Sequence, residues 1–198
     1  MERLIAVLGF IGVALAAQPV RASVVEPMSV EELARVADVV VVGTVVSRRS
    51  RYDDPPRSDR IVSDVVVRVT RTIRGASDPE VVVTTPGGVV EGRGQLVTGA
   101  PVLTPGEEVV LFLHPARPTS VGPRRMVVGL SQGLFLVRRE PSGGPVRVRQ
   151  NLEGVLLYGV AEGPGAELDL PLDDLIRRVQ AVPHSSPIPR PAPAERTR

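Results

Sequence analysis

The residues best spaced for chemistry are Gly129-Leu130-Ser131-Gln132-Gly133, a G-x-S-x-G pattern. Such a serine serves as a hydrolase nucleophile when a strand precedes it, a helix follows it and a histidine lies downstream. Here an apolar run, Leu134-Phe135-Leu136-Val137, follows and reads as a strand, and the only downstream histidine is His184 in a proline-rich tail. Hairpin turn residues explain the glycines better. Metal chemistry has few donors to draw on: the histidines are His114 and His184, and there is no cysteine. Asp173-Asp174 falls in the first turn of a predicted helix, where acids favour the positive end of the dipole, and no calcium-loop spacing surrounds it. Gly87, Gly88, Gly92 and Gly94 match neither a phosphate loop nor a dinucleotide fingerprint with a helix behind. The expectation is a non-enzymatic protein without metal or cofactor; a serine hydrolase using Ser131 is the enzyme-class alternative.

The elements that must position any site are mostly strands. The chain has 37 valines, several in unbroken runs, with 19 glycines and 20 prolines between short apolar segments. Beta-branched residues suit a pleated, half-buried surface, and short strands with frequent turn signals indicate a β-sandwich or barrel. Ser29-Val30-Glu31-Glu32 is a capping box that starts a two-turn helix ending at Asp38. Val39 to Val46 is a strand apolar enough to be buried on both faces. Arg48 to Arg60 is a loop, followed by a strand over 61–73 in which Val65, Val67 and Val69 face away from Asp64, Arg68 and Thr70.

Further strands are expected over 81–85, 95–98 and 109–113, with a flexible glycine-rich loop over 86–94. Residues 126–130 and 134–138 read as the two arms of a hairpin. Short strands follow at 146–149 and 155–158. Pro171 then opens a last helix with Leu172, Leu175, Ile176 and Val179 on one face. Five prolines from Pro183 onward mark residues 183–198 as a disordered tail.

The beginning of the chain reads as an export signal over residues 1–22. Glu2 and Arg3 precede an apolar run from Leu4 to Ala17, and Val20-Arg21-Ala22 is small at both positions that a signal peptidase reads. The run is too short to span a bilayer. The expected product is periplasmic or extracellular, cleaved after Ala22, with residues 23–182 forming one domain and no integral membrane segment. All 24 basic residues are arginine, nearly balanced by 22 acids, and a GC-rich codon bias accounts for the missing lysine. With a formal net charge of +2 there is no strong field to steer nucleic acid. Only Tyr52, Phe112, Phe135 and Tyr158 follow the signal as aromatic stacking platforms. Nucleic acid is therefore not an expected partner.

Four local features occur in a telling order. They are Ala37-Asp38 before the strand Val39 to Val45, Thr72-Ile73-Arg74-Gly75 closing a long strand, Thr85-Pro86 closing the next, and Pro101, Leu103 and Pro105-Gly106 leading to Val109–Leu113. In this order they resemble the netrin-like OB domain of tissue inhibitors of metalloproteinases, over just over half of the mature chain. The spacing from Ser23 to Asp38 also matches that family's spacing from its N-terminus to the equivalent aspartate. The resemblance implies an all-β, OB-like (netrin-like) closed Greek-key barrel with a short N-terminal helix, a β extension and one C-terminal helix.

In the family, the N-terminal amine and first carbonyl grip a protease's zinc at its open position. The family's first residue is a cysteine held by a disulfide; Ser23 stands here instead, so the implication for Ser23 and Val24 is one of position. The expected function is an exported, non-enzymatic protein-binding domain of metalloprotease-inhibitor type, its partner a secreted zinc protease or another exported protein. A structural or envelope-associated β module is the alternative. The partner-binding edge is expected at Ser23, Val24 and Val25 with the loops that hold Arg51, Tyr52, Gly87 and Gly88.

Overall fold

Valine runs become strands that feed two cores at once. The structure is a computed structural model that describes residues 23–53, 59–141, 143–152, 155–157 and 167–183. The expected signal at 1–22 and the tail from His184 onward lie outside the described residues. The elements, in chain order, begin with β1 (Ser23–Val25), α1 (Val30–Val36), β2 (Val39–Tyr52), β3 (Ile61–Arg74) and β4 (Glu80–Pro86). They continue with β5 (Gly88–Val90), β6 (Arg93–Gln95), β7 (Glu108–Leu113), β8 (Leu134–Arg138) and β9 (Arg147–Gln150). The last are β10 (Val155–Leu157), β11 (Asp169–Pro171) and α2 (Leu172–Ala181).

The fold is mostly β. Seven strands pair antiparallel in the order β11-β9-β8-β7-β2-β3-β4. β1 pairs in parallel with β10, and β5 forms a hairpin with β6. Three isolated bridges lie outside the named strands: Val83 of β4 to Arg125, parallel, Leu113 of β7 to Val127, antiparallel, and Arg117 to Arg124, antiparallel. No helix among the described residues is long and apolar enough to cross a membrane.

The run expected to be buried on both faces is so over Val39–Val42, and Val45 is buried too, but Val46 is 40% exposed. Val39 and Val41 join Val65, Val67, Val83, Val109 and Leu111 in one cluster. Val40 and Val42 point the other way, into a second cluster with Phe112, Phe135 and the buried faces of both helices. The alternation is the ordinary period of two, used here to serve two cores from one strand. The capping box forms: Glu32 N–H donates to Ser29 Oγ at 3.2 Å and Ser29 N–H to Glu32 Oε2 at 2.7 Å. Val30, Leu33 and Ala34 are the buried face of α1.

Several expectations are corrected. β2 does not stop at Val46 but runs to Tyr52, because its partner β3 continues alongside it to the Tyr52–Ile61 pair. The polar character of residues 47–52 reflects an outward-facing strand rather than a loop. The glycine-rich stretch 86–94 is no loose loop: Glu91 and Gly92 both have positive φ (50° and 80°), the backbone of a tight hairpin turn joining β5 to β6. β6 therefore ends at Gln95, and no strand covers 96–98.

Residues 126–130 and 134–138 do not pair with each other. Both arms pair with β7 instead, β8 beside Val109–Leu111 and Val127 beside Leu113. Residues 129–133 form the turn between them, with Gly133 N–H donating to Val128 O at 3.0 Å. Pro171 ends β11 and caps α2, which starts one residue later than expected.

Candidate functional site

β2 is apolar at one end and polar at the other, and the change falls at a bulge. The register with β3 shifts between Val45 and Ser47. An extra residue in one strand reverses which face the following side chains take. Val45 is buried in the valine core, whereas Ser47, Arg49 and Arg51 line an outer groove. β3 contributes Asp64 and Val66 to that groove and β4 contributes Val82. Ser120, Val121 and Arg124 close it from the segment that runs back toward β4, leaving a volume of about 820 Å³. A second hollow of about 550 Å³ adjoins it, lined by Asp53, Arg60, Thr84, Arg117 and Met126 among others. Arg51 and Arg124 line both.

Between the hollows stands a charge cluster centred on Asp64. Arg51 Nε donates to its Oδ2 at 2.8 Å and Thr84 Oγ1 donates to its Oδ1 at 2.7 Å. Arg124 Nε lies 3.2 Å from the same Oδ2, in ion contact but without hydrogen-bond alignment, so that buried N–H has no partner. Burial alone would push the Asp64 carboxyl up. The hydrogen bonds from Arg51 and Thr84, with the charges of Arg51 and Arg124, outweigh it and hold the group below its ordinary value. The cluster is thus a fixed, ionised hub that holds two guanidinium groups at the groove's centre.

The neighbouring Arg125 faces the opposite way. Its Nη1 donates to Asp38 Oδ2 at 2.7 Å and to His114 O at 2.9 Å. Consecutive arginines therefore tie one segment to β3 on one side and to the start of β2 on the other. His114 is half-buried, and burial, followed by the charge of Arg117, pushes its pKa down.

Of the expected binding residues, the groove brings together Arg51 and Tyr52. Gly88 lies against the inner side of the same strand end: a Cβ there would run into Ser50 Oγ and Ser63 Oγ. Gly87 is buried, its N–H donating to Ile61 O and its carbonyl accepting from Ser63 Oγ, both at 2.8 Å. These two glycines shape the edge rather than line it.

The N-terminal arm is elsewhere. Val25 lines a separate hollow beside Gly129, Leu130 and Gln132, and Ser23–Val25 pair with Val155–Leu157. The side-chain amide of Gln132 accepts from Met28 N–H at 2.7 Å and donates to Glu26 O at 3.0 Å. The arm is therefore held by hydrogen bonds and strand pairing, without a cross-link.

Ser131 of the G-x-S-x-G pattern is buried and donates its hydroxyl to Gly99 O at 2.8 Å. β8 follows it, as the pattern's surroundings predict. His184 lies outside the described residues. Asp173 and Asp174 sit in the first turn of α2, with Asp174 accepting from Arg177 at 2.8 Å. No three potential metal ligands cluster among the described residues.

Sequence reasoning missed Arg49, Asp64 and Arg124 as groove residues. A signal for the first two was present, since Ser47, Arg49 and Arg51 alternate on a strand and Asp64 follows at the start of the next. Arg124 had none, because only tertiary folding carries it across sixty residues of chain to Asp64. No family model matches the chain, and no curated protein matches it.

Proposed function

We propose that the protein is an exported, non-enzymatic protein-binding domain built on an OB-like closed barrel. In this reading the outer groove of β2, β3 and β4 is its binding face. The bridge pattern supports closure: β7-β2-β3-β4 continues through Val83–Arg125 to the segment that returns to β7 at Leu113–Val127. We read that order, with its one parallel step, as a five-membered Greek-key cylinder, a barrel class that places ligands on its outer face and flanking loops. The observation that carries the binding reading is a sheet buried on its inner side by a valine core yet left open outside, where charged and apolar groups alternate around a groove.

A photo-crosslinking residue placed at Tyr52 in the secreted protein tests it, with the exposed Gln180 of α2 as the control position. One dominant protein adduct at Tyr52 and none at Gln180 is expected. Equal labelling at both positions, or none at either, removes the reading. The inhibitor-like form rests on the tether that Gln132 and β10 provide for the N-terminal arm. It predicts that the Tyr52 adduct is a zinc protease and that one alanine prepended to Ser23 abolishes inhibition.

A further inference from the structure

Resting on the proposed binding reading, the geometry points to the class of partner: we infer that the joined hollows around Arg51 and Arg124 take an extended acidic segment of another protein, its carboxylates alternating with apolar side chains. Charge is the first argument. The two hollows are lined by Arg49, Arg51, Arg60, Arg117 and Arg124 against only Asp53 and Asp64. Both acids are already engaged, Asp64 by Arg51 and Arg124, and Asp53 by Arg60 at 3.0 Å. The side chains of Arg49 and Arg117 are exposed and have no ion-pair or hydrogen-bond partner among the described residues. They are the two guanidinium groups free to take a carboxylate, one in each hollow, and guanidinium binds carboxylate through paired, charge-assisted hydrogen bonds.

Shape and composition supply the second argument. Between these cations the wall is apolar: Tyr52, Val66, Val82 and Val121 in the larger hollow, Val97 and Met126 in the smaller. Val121 and Met126 are 49% and 43% exposed, apolar surface of the kind that marks an interaction site when it is rimmed by polar groups. A nucleic acid or sulfated polysaccharide would favour unbroken positive charge, and here the ionised Asp64 sits at the centre of the groove. The chain's own tail is a poor occupant, since residues 184–198 hold three arginines and one glutamate and would repel the groove. An acidic, partly apolar strand from a second protein satisfies both the free cations and the valine wall.

The test uses the intact secreted protein and three labelled probes: an extended peptide alternating Glu with Val and Leu, its Gln-for-Glu counterpart, and heparin. Fluorescence anisotropy is expected to show the Glu peptide binding at least about tenfold more tightly than the Gln peptide. The exposed double substitution Arg49→Glu with Arg117→Glu, checked for an unchanged melting temperature, should remove that preference. Equal binding of the two peptides, no binding of the Glu peptide, a preference that survives the double substitution, or tight binding of heparin alone with steep salt dependence each overturns the inference. An adduct at Tyr52 that persists while the Glu peptide fails would sink the acidic class alone and leave the binding reading standing.

Discussion

The two halves of β2 leave the valine core under different cover. At the first half, Val40 and Val42 turn outward beneath α1 and α2, where Phe112 and Phe135 pack with ring centroids 5.7 Å apart. At the second half, beyond the bulge, Ser47, Arg49 and Arg51 turn outward into an open groove. One strand is thus covered by helices at one end and open to solvent at the other. Both halves pair antiparallel with β3, but β7 joins only Val39–Thr44, so the polar half lacks that second neighbour and, beyond the bulge, sends different side chains outward. The binding reading therefore belongs to the polar half, and damage to the sealed half should act on folding instead.

The largest expected effect probes the core that both halves share. Val67→Asp places an unpaired carboxylate where Val67 is fully buried, at a cost of several kcal/mol that rivals the whole stability of a small domain. Circular dichroism should show an unfolded or aggregated chain; a soluble, folded variant would refute the inward facing of Val65 and Val67.

Asp64→Asn isolates the polar half. Removing the charge leaves Arg51 and Arg124 facing each other with no carboxylate between them, a loss of about 1–3 kcal/mol by denaturant titration at neutral pH. Because the folded Asp64 pKa is depressed, its stabilising contribution is present above its ordinary value of 3.8 and is lost as the pH falls through the folded value. Wild type and variant should therefore converge in stability on acidification below about pH 4. A constant gap across that range would show that the carboxylate's charge is not what holds the cluster. His114, whose pKa is also depressed, adds to acid sensitivity in the same direction and is unchanged in both proteins.

The smallest effect tests the sealed half at its surface. Glu31 of α1 takes a two-point ion pair from Arg178 of α2, at 2.6 and 2.7 Å, and the hydrogen bond from Arg178 is the main reason its carboxyl is held low. Both side chains are 38% exposed, so solvent screens the pair and Glu31→Gln should cost under about 1 kcal/mol. A larger loss in melting temperature would mean that the two helices depend on this pair rather than on their shared apolar core.

Local pattern made much of this legible. The capping box at Ser29 and Glu32 names its own hydrogen bonds, and Val65 and Val67 declare their inward face by alternation with Asp64 and Arg68. The valine run before Gly43 is readable as doubly buried from composition alone. Arg51 and Tyr52, expected at an edge, do line the groove, although from a strand rather than a loop. The errors share one cause. Whether residues 47–52 are strand or loop depends on β3 lying beside them, and whether 126–130 pairs with 134–138 depends on β7 being available to both.

Residue order alone therefore determined the strand-rich body, the facing of its long valine strands, the start of α1 and the buried stripe of α2, because each follows from a repeat or cap within a few neighbours. Tertiary structure decided the rest. The bulge that reverses Arg49 and Arg51, the return of Arg124 to Asp64, and the grip of Gln132 on the N-terminal arm all join residues far apart in the chain. Such contacts are chosen by which surfaces meet once the strands have assembled, and no local periodicity encodes that.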